Sequence, residues 1–187
     1  MLFCTTAAEW CVTAWGTTFV EDAAGVSTDA AVAVMAGYFG GVLVGRTLGS
    51  RLARRYGPAR LLAIALGVTA VGFAVLWPST APVPALAGLL LLGIGLGNLF
   101  PMGVSLAVAL APKQSALASG RVVAMSSFAV VLAPLTVGTL ADVTSLKIAL
   151  GVVPVMVVLA ATGLTLVART RARESDANEG AGAPSRS

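Results

Sequence analysis

The sequence has no histidine among its 187 residues, and this absence removes several kinds of chemistry. Without histidine there is no Ser-His or Cys-His nucleophile pair, no imidazole acid or base, and no histidine-ligated zinc. An intramembrane serine protease of the rhomboid type would need a histidine, so that class is excluded. The 8 acidic residues form no carboxylate pair or metal-ligand cluster along the chain. We therefore expect a protein that is not an enzyme, with no cofactor and no metal site.

Charged residues are scarce, and apolar residues are abundant. Charged side chains make up 11% of the chain and hydrophobic ones 57%, with a mean hydropathy of +0.92. Soluble proteins carry about 25% charged residues, so this composition is typical of an α-helical protein embedded in a lipid bilayer. The net charge of +4 does not indicate nucleic-acid binding, because the cations lie at the edges of apolar segments.

Six apolar segments are long enough to cross a bilayer, which requires roughly 20 residues at about 1.5 Å each. Together they predict an all-α membrane protein with one transmembrane domain at residues 1–168. The polar and charged stretch at 169–187 is expected to be a disordered tail. The predicted segments are 1–20, 30–50, 61–77, 83–110, 115–141 and 148–168.

Lysine and arginine are distributed unevenly between the connectors. When the connectors are assigned alternately to the two sides of the membrane, one side receives eight cations and the other only Lys147. A surplus of cations in short loops marks the cytoplasmic side. We therefore expect both termini in the cytoplasm and the chain in the plasma membrane, which in bacteria is the inner membrane. The eight cations are Arg51, Arg54, Arg55, Arg60, Lys113, Arg169, Arg171 and Arg173.

Glu9 lies near the middle of the first predicted segment. A charged side chain at the bilayer centre costs about 2.5–3.5 kcal/mol or more, so such residues usually face a cavity and have a function. Its neighbours one and two helical turns away are polar or small. This stripe predicts either proton coupling or substrate hydrogen bonding in a central cavity, or a protonated carboxyl that only helps packing. The neighbours are Thr5, Thr6, Thr13, Gly16 and Thr17.

Several other side chains within the predicted segments each have two interpretations. Trp10 and Trp15 flank the stripe and either stack on a ligand or pack against lipid and neighbouring helices. Arg121 either pairs with Glu9 or an anionic substrate, or extends to the membrane interface. Asn98 either lines a pocket or makes a hydrogen bond between helices.

Glycine recurs every fourth position along the second and fourth segments. Such patterns let helix backbones approach closely, so they predict packing surfaces, or surfaces that slide during a conformational change. Pro134 followed by Gly138 predicts a kink in the fifth segment, because proline removes a backbone donor. The repeated glycines are Gly37, Gly41, Gly45 and Gly49, then Gly93 and Gly97.

The stretch GSRLARRYGPARLL follows a glycine-rich segment and resembles the cytoplasmic signature loop of the major facilitator superfamily, roughly G-x-x-x-D-R-x-G-R-R. Arg55 and Gly57 match its R-x-G, and Arg60 lies just beyond. GTLAD at 138–142 echoes the same motif. The sequences GNLFPMGVSLAVALAP and ASGRVVAMSSFAVVLAPLTVGTLAD are similar to the fourth and fifth helices of a C-terminal half.

Two positions depart from the signature, because Arg54 stands where it has Asp and Ser50 where it has its leading Gly. Such departures are expected of the second, degenerate copy of the loop. In the family the loop makes charge contacts that hold one conformation closed. The resemblance therefore implies a gating role for Gly49, Arg51, Arg54, Arg55, Gly57 and Arg60.

The resemblance implies a secondary active transporter that moves a small-molecule substrate by alternating access, as a symporter or an antiporter. Family members usually have twelve helices in two six-helix halves, and this chain looks like helices seven to twelve. A weak repeat between LARRYGPARLLAIALGV at 52–68 and LADVTSLKIALGV at 140–152 predicts two inverted three-helix repeats.

A second six-helix half is the implied partner, besides the lipid bilayer. It would be a separate chain, a missing N-terminal half or a second copy of this chain. The alternatives to transport are a non-transporting fragment and a membrane interaction subunit.

Overall fold

Proline, glycine and serine determine where several helices begin and end. Pro58 and Pro82 stand in the first turns of their helices. Backbone N–H groups there have no partner within the helix, so proline costs no hydrogen bond at these positions. Gly25 ends the first helix in the left-handed conformation at φ 61°. The Ser27 hydroxyl then accepts a hydrogen bond from the Ala30 amide at 3.4 Å and caps the second helix.

The computed structural model describes residues 1–181, and the side chains of residues 1–170. Within that part the chain forms six long helices, one single-turn helix and a short 3-10 turn at Pro112–Gln114, with no strand. The all-α prediction is therefore confirmed. The helices are α1 (Leu2–Ala24), α2 (Thr28–Leu52), α3 (Pro58–Leu76), α4 (Pro82–Leu110), α5 (Ser115–Val143), α6 (Leu146–Ala149) and α7 (Val152–Ala181).

Five stretches of the described chain are long and apolar enough to cross a membrane, rather than the six expected. The first helix, α1, is not among them, because Glu9, Glu21, Asp22 and several threonines lower its hydropathy. The chain is an integral membrane protein on the strength of the other five. These are Thr28–Leu52, Pro58–Leu76, Pro82–Leu110, Pro112–Val143 and Leu146–Thr170.

Protein rather than lipid surrounds much of α1. Nine of its 23 residues are buried, compared with four of 29 in α5. The helix packs against α2, α4, α5 and α7. A helix shielded on several sides need not be as apolar as one that faces hydrocarbon, so its polar composition is compatible with a place inside the bundle.

The tightest packing lies where α4 runs between α2 and α3. Gly93 and Gly97 of α4 face α2, while Gly88 and Gly95 of the same helix face α3. With no side chain at these positions, the helix backbones come into direct contact. The core of the bundle includes leucines on α3 and α4 that are nearly inaccessible: Leu62, Leu89, Leu92, Leu96 and Leu99.

Large apolar side chains cover the outer surface, as expected for helices in hydrocarbon. Leu43 on α2 is 69% exposed, and Phe128 and Leu135 on α5 are 63% and 60% exposed. These exposures exclude an aqueous environment for the outer faces of α2 and α5, since a soluble protein would bury most of this area.

The last helix, α7, continues to Ala181 and so enters the stretch that we expected to be a disordered tail. Arginine, alanine and glutamate there favour helix over coil. Residues 182–187 lie outside the described part of the chain.

Candidate functional site

Glu9 is half-buried on α1, and the Thr13 side chain one turn further along bonds to the backbone of the same helix. The Thr13 hydroxyl donates to the backbone carbonyl oxygen of Glu9 at 2.9 Å. Within the described residues, the Glu9 carboxyl itself accepts no hydrogen bond. The carboxyl is therefore available to a proton or to a bound solute.

Tyr38 on α2 is the residue of this region that sequence reasoning missed. Its side chain is only 1% exposed, and its hydroxyl lies near the Thr13 hydroxyl but makes no hydrogen bond of ordinary geometry among the described residues. A buried hydroxyl without a partner is unusual and needs an explanation. The only signal in the sequence was a tyrosine inside an apolar segment, which does not reveal the helix that it faces.

The contact between Gly16 and Met35 shows how α1 and α2 are aligned. A Cβ added at Gly16 would lie 2.9 Å from the Met35 sulfur. The two helices are antiparallel, so three residues onward from Met35 to Tyr38 correspond to three residues back from Gly16 to Thr13. The Tyr38 phenol thus lies at the level of the Glu9–Thr13 turn, and the charge of Glu9 acts on it.

Arg46 is the cation whose charge acts on the Glu9 carboxyl. It lies on α2, and its Nε donates to the backbone carbonyl oxygen of Gly97 on α4 at 3.4 Å. That carbonyl lacks its usual helical partner, because the residue four positions later is Pro101, which has no N–H. A break in the α4 hydrogen-bond ladder therefore anchors the exposed Arg46 side chain against α4.

The predicted pairing of Arg121 with Glu9 is not formed. Arg121 is exposed on α5 and Arg46 is exposed on α2, and neither forms an ion pair with Glu9 among the described residues. The threonine stripe of α1 faces more than one helix. The Thr6 hydroxyl donates to Ser126 Oγ of α5 at 3.3 Å. Sequence spacing placed these residues on one face of α1, but it could not show that two different helices pack on that face.

Asn98 makes a hydrogen bond between helices, which is one of its two predicted roles. Its Nδ2 donates to the backbone carbonyl oxygen of Gly45 on α2. The amide fits there because Gly49, one turn along α2, has no side chain, and a Cβ at that position would overlap it.

Trp15 packs at the proline turn of α5. Its indole Nε1 donates to the Pro134 carbonyl oxygen at 2.9 Å, and a Cβ added at Gly138 would lie 2.9 Å from its ring. The side chain is therefore committed to packing between α1 and α5. Trp10 is 41% exposed on another face of α1.

The glycines of α2 lie against α4 in a regular register. Gly37 faces Leu86, Gly41 faces Leu90, and Gly45 faces Ile94, each step being four residues in both helices. At Gly41 and Gly45 the facing atoms are backbone, so even a methyl group would collide with the neighbouring helix. The repeat that sequence spacing picked out is thus a helix contact surface.

Comparison with known proteins identifies the family. The model of the Major Facilitator Superfamily matches residues 1–187, the whole chain. The chain belongs to the Major Facilitator Superfamily. The resemblance of its arginine-rich loop to the family signature had predicted this membership, and members of the superfamily are transporters and not enzymes.

The bundle is similar to that of a solved transporter structure. That structure is the in meso crystal structure of the POT family transporter PepTSo, with a TM-score of 0.73 and 20% sequence identity. The match covers 90% of this chain and 36% of that one, so the chain spans just over one third of the length of PepTSo. At this identity the likeness shows the fold alone. No curated protein matches the chain.

The superfamily signature loop lies at the end of α2 and the start of α3. Arg51, Arg54, Arg55 and Arg60 are all exposed there, and the Arg60 guanidinium lies 4.6 Å from the centre of the Tyr56 ring. Gly57 caps α3 at an ordinary φ of −66°, and a Cβ there would meet nothing within 4 Å. Arg54 stands where the family signature has Asp, so this loop has no acidic residue of its own.

Proposed function

We propose that the chain is the C-terminal half of a secondary active transporter, which moves a small solute by alternating access with proton coupling. Family membership supports transport, and the 36% coverage of PepTSo supports a second six-helix unit that completes the molecule. That unit would be a preceding part of the same chain, a separate chain or a second copy.

The observation that carries this proposal is the half-buried Glu9 carboxyl, which lies within about one helical turn of the level of the buried Tyr38 hydroxyl. An acidic side chain inside a membrane bundle is costly, at about 2.5–3.5 kcal/mol, and is usually retained for function. The charge of Arg46 offsets part of that cost when Glu9 is ionised. Glu9 would bind a proton in one conformation and release it in the other, while the Tyr38 hydroxyl donates to the carboxylate or to the solute.

Alternating access would follow from rocking of two repeats of inverted topology, each with three long helices. The first repeat is α1, α2 and α3, and the second is α4, α5 and α7. Because α1 packs against α2, α4, α5 and α7, a movement between the repeats would change the surroundings of Glu9. The signature loop, with Gly49, Arg51, Arg54, Arg55, Gly57 and Arg60, would stabilise one of the two conformations.

The cation distribution supports an orientation in which the signature loop and both termini are cytoplasmic, in a plasma or bacterial inner membrane. Asp22 and Asp29 flank the connector between α1 and α2, at the opposite end of the bundle. A cysteine placed in each connector and labelled from one side of intact cells would test this orientation.

Uptake into proteoliposomes tests the transport proposal. The chain, together with the second unit where its gene or a neighbouring gene supplies one, is reconstituted and screened with labelled sugars, amino-acid derivatives and organic cations under a pH gradient. We expect gradient-driven uptake of at least one solute by the native protein. If no gradient accelerates uptake of any solute, while the protein is folded and inserted, proton-coupled transport is contradicted.

A second candidate is a self-associating membrane protein without transport activity, or a homodimerising half-transporter. Apolar side chains along α5, including Phe128, Val131 and Leu135, are 58–63% exposed and would suit a helix interface as well as lipid. Crosslinking of a cysteine at Phe128 between two differently tagged copies would support this candidate. Monomers that transport without self-association would contradict it.

A further inference from the structure

The end of the bundle that carries the signature loop has an open pocket of strong positive charge. Arg51, Arg54 and Arg55 line it together with Leu52 and Tyr56. The stretch from Gly45 to Leu62 contains no acidic residue. A concentration of cations without carboxylates nearby is suited to an anionic ligand.

An apolar groove adjoins this pocket and runs along the outside of the bundle. It lies between α2, α3 and α4 and has a volume of about 200 Å³. Leu52 lines both the groove and the cationic pocket, so the two lie next to each other at this residue. The groove walls are mainly aliphatic, with contributions from Leu48, Leu52, Leu61, Ile64 and Val68.

The polar side chain in the groove wall does not offer a binding group. Asn98 lies there, but its Nδ2 is already bonded to the Gly45 carbonyl oxygen. A ligand that fills the groove is therefore apolar along its length, and charged only where it meets the arginines.

We propose that this composite surface binds one anionic phospholipid of the surrounding membrane. The phosphate lies among Arg51, Arg54 and Arg55, and an acyl chain lies along the groove between α2, α3 and α4. The end of a membrane-spanning helix such as α2 is at the depth of lipid headgroups. Basic pockets between helices at that depth recognise acidic headgroups, and apolar grooves that reach them accept the acyl chain. This inference does not depend on Glu9 or on proton coupling.

The experiment measures lipid retained by the purified full chain in detergent, using native mass spectrometry and titration with phosphatidylglycerol. We expect saturable binding of one lipid. The double variant Arg54→Gln/Arg55→Gln should bind about thirtyfold more weakly, since each arginine near a lipid phosphate contributes about 1 kcal/mol and 1.4 kcal/mol is tenfold. The control Lys113→Gln removes a cation at the same end of the bundle but outside the pocket, and should bind normally.

A second variant tests the groove separately from the charges. Leu48→Trp places a larger side chain in the groove from a position that is 44% exposed, and should weaken binding about tenfold or more through loss of acyl-chain contact. Leu43→Trp is the matched control on the same helix, because Leu43 is 69% exposed and does not line the groove. Thermal unfolding of each lipid-free variant shows that it is folded.

Three results would overturn the proposal. Equal binding of phosphatidylcholine would remove the role of the headgroup charge. Equal binding of inorganic phosphate or glycerol phosphate, unaffected by Leu48→Trp, would show an anion site without an acyl groove. Unchanged phosphatidylglycerol binding by folded Arg54→Gln/Arg55→Gln would place the lipid elsewhere.

Discussion

Arg46 Nε on α2 donates to the carbonyl oxygen of Gly97 on α4 at 3.4 Å, and Pro101 is the reason that this oxygen is available. Proline four residues after a carbonyl leaves it without a helical donor. Arg46 of α2 supplies the donor that the Gly97 carbonyl lacks within its own helix. The charge of Arg46 also acts on Glu9. This bond joins the proline turn of α4 to α2.

This relationship predicts an energetic coupling between Arg46 and Pro101. Arg46→Gln should lower the free energy of unfolding by about 1 kcal/mol, through loss of the bond to Gly97. In a Pro101→Ala background the helix supplies its own N–H, so the same substitution should cost close to nothing. Denaturant unfolding of the two single variants and the double variant in detergent measures the coupling.

Arg51→Gln is the control for this cycle, because Arg51 is exposed in the last turn of α2. It should change stability by less than about 0.5 kcal/mol in either background. An equal cost of Arg46→Gln with and without Pro101 would show that the Gly97 carbonyl is not its anchor.

Tyr38→Phe should leave the fold as stable as before, or more stable by up to about 1 kcal/mol. The substitution removes a buried hydroxyl that has no partner among the described residues, and leaving such a group unpaired costs about 1–3 kcal/mol. The same variant should lower solute uptake if the hydroxyl serves Glu9 or the solute.

Tyr56→Phe, at a position 37% exposed in the signature loop, is the matched control and should alter neither property. A loss of stability above about 1 kcal/mol in Tyr38→Phe would mean that the hydroxyl has a structural partner.

Gly41→Ala and Gly40→Ala should have opposite effects although they are adjacent. A Cβ at Gly41 would collide with the Leu90 carbonyl of α4, whereas one at Gly40 would meet nothing within 4 Å. Forced overpacking costs about 1–3 kcal/mol, while alanine in an open helical position is favoured over glycine by about 0.8–1.0 kcal/mol. Unfolding of the two variants in detergent measures the difference, and equal effects would contradict the observed register of α2 and α4.

The sequence predicts the helices well because each depends on a local signal. Apolar runs ended by Pro, Gly and Ser marked all six long helices. Glycine at every fourth position marked the surface of α2 that contacts α4. Composition alone did not reveal the burial of α1, whose polar residues are accommodated because other helices surround it.

The candidate site was predicted only in part, because it depends on the register between helices. Glu9 could be predicted as a site residue because a charged side chain inside a membrane has a high free-energy cost. The approach of Tyr38 and Arg46 requires the antiparallel alignment of α1 with α2, which no local pattern encodes. Arg121, for which pairing with Glu9 was one of two interpretations, is exposed on α5.

Trp15→Phe should destabilise the bundle by about 0.5–1.5 kcal/mol. The indole donates to the Pro134 carbonyl oxygen at 2.9 Å, and phenylalanine keeps most of the packing while it removes that donor. Trp10→Phe, at a position 41% exposed, is the control and should change stability by less than about 0.5 kcal/mol. Thermal unfolding followed by tryptophan fluorescence compares the two, and similar losses would show that the bond to Pro134 contributes little.

The most direct test of the central claim is proton movement that depends on Glu9. Proteoliposomes containing a trapped pH-sensitive dye are mixed with a solute found in the uptake screen, and the internal pH is followed with the native protein and with Glu9→Gln. Glu21→Gln is the control, since Glu21 lies at the far end of α1 and its carboxylate accepts from the Thr28 hydroxyl at 2.8 Å, a bond that glutamine can also accept. We predict solute-dependent proton flux for the native protein and for Glu21→Gln, and at least a tenfold loss for Glu9→Gln, as expected when a proton-transfer group is removed. Proton flux of native size in folded Glu9→Gln would contradict the account.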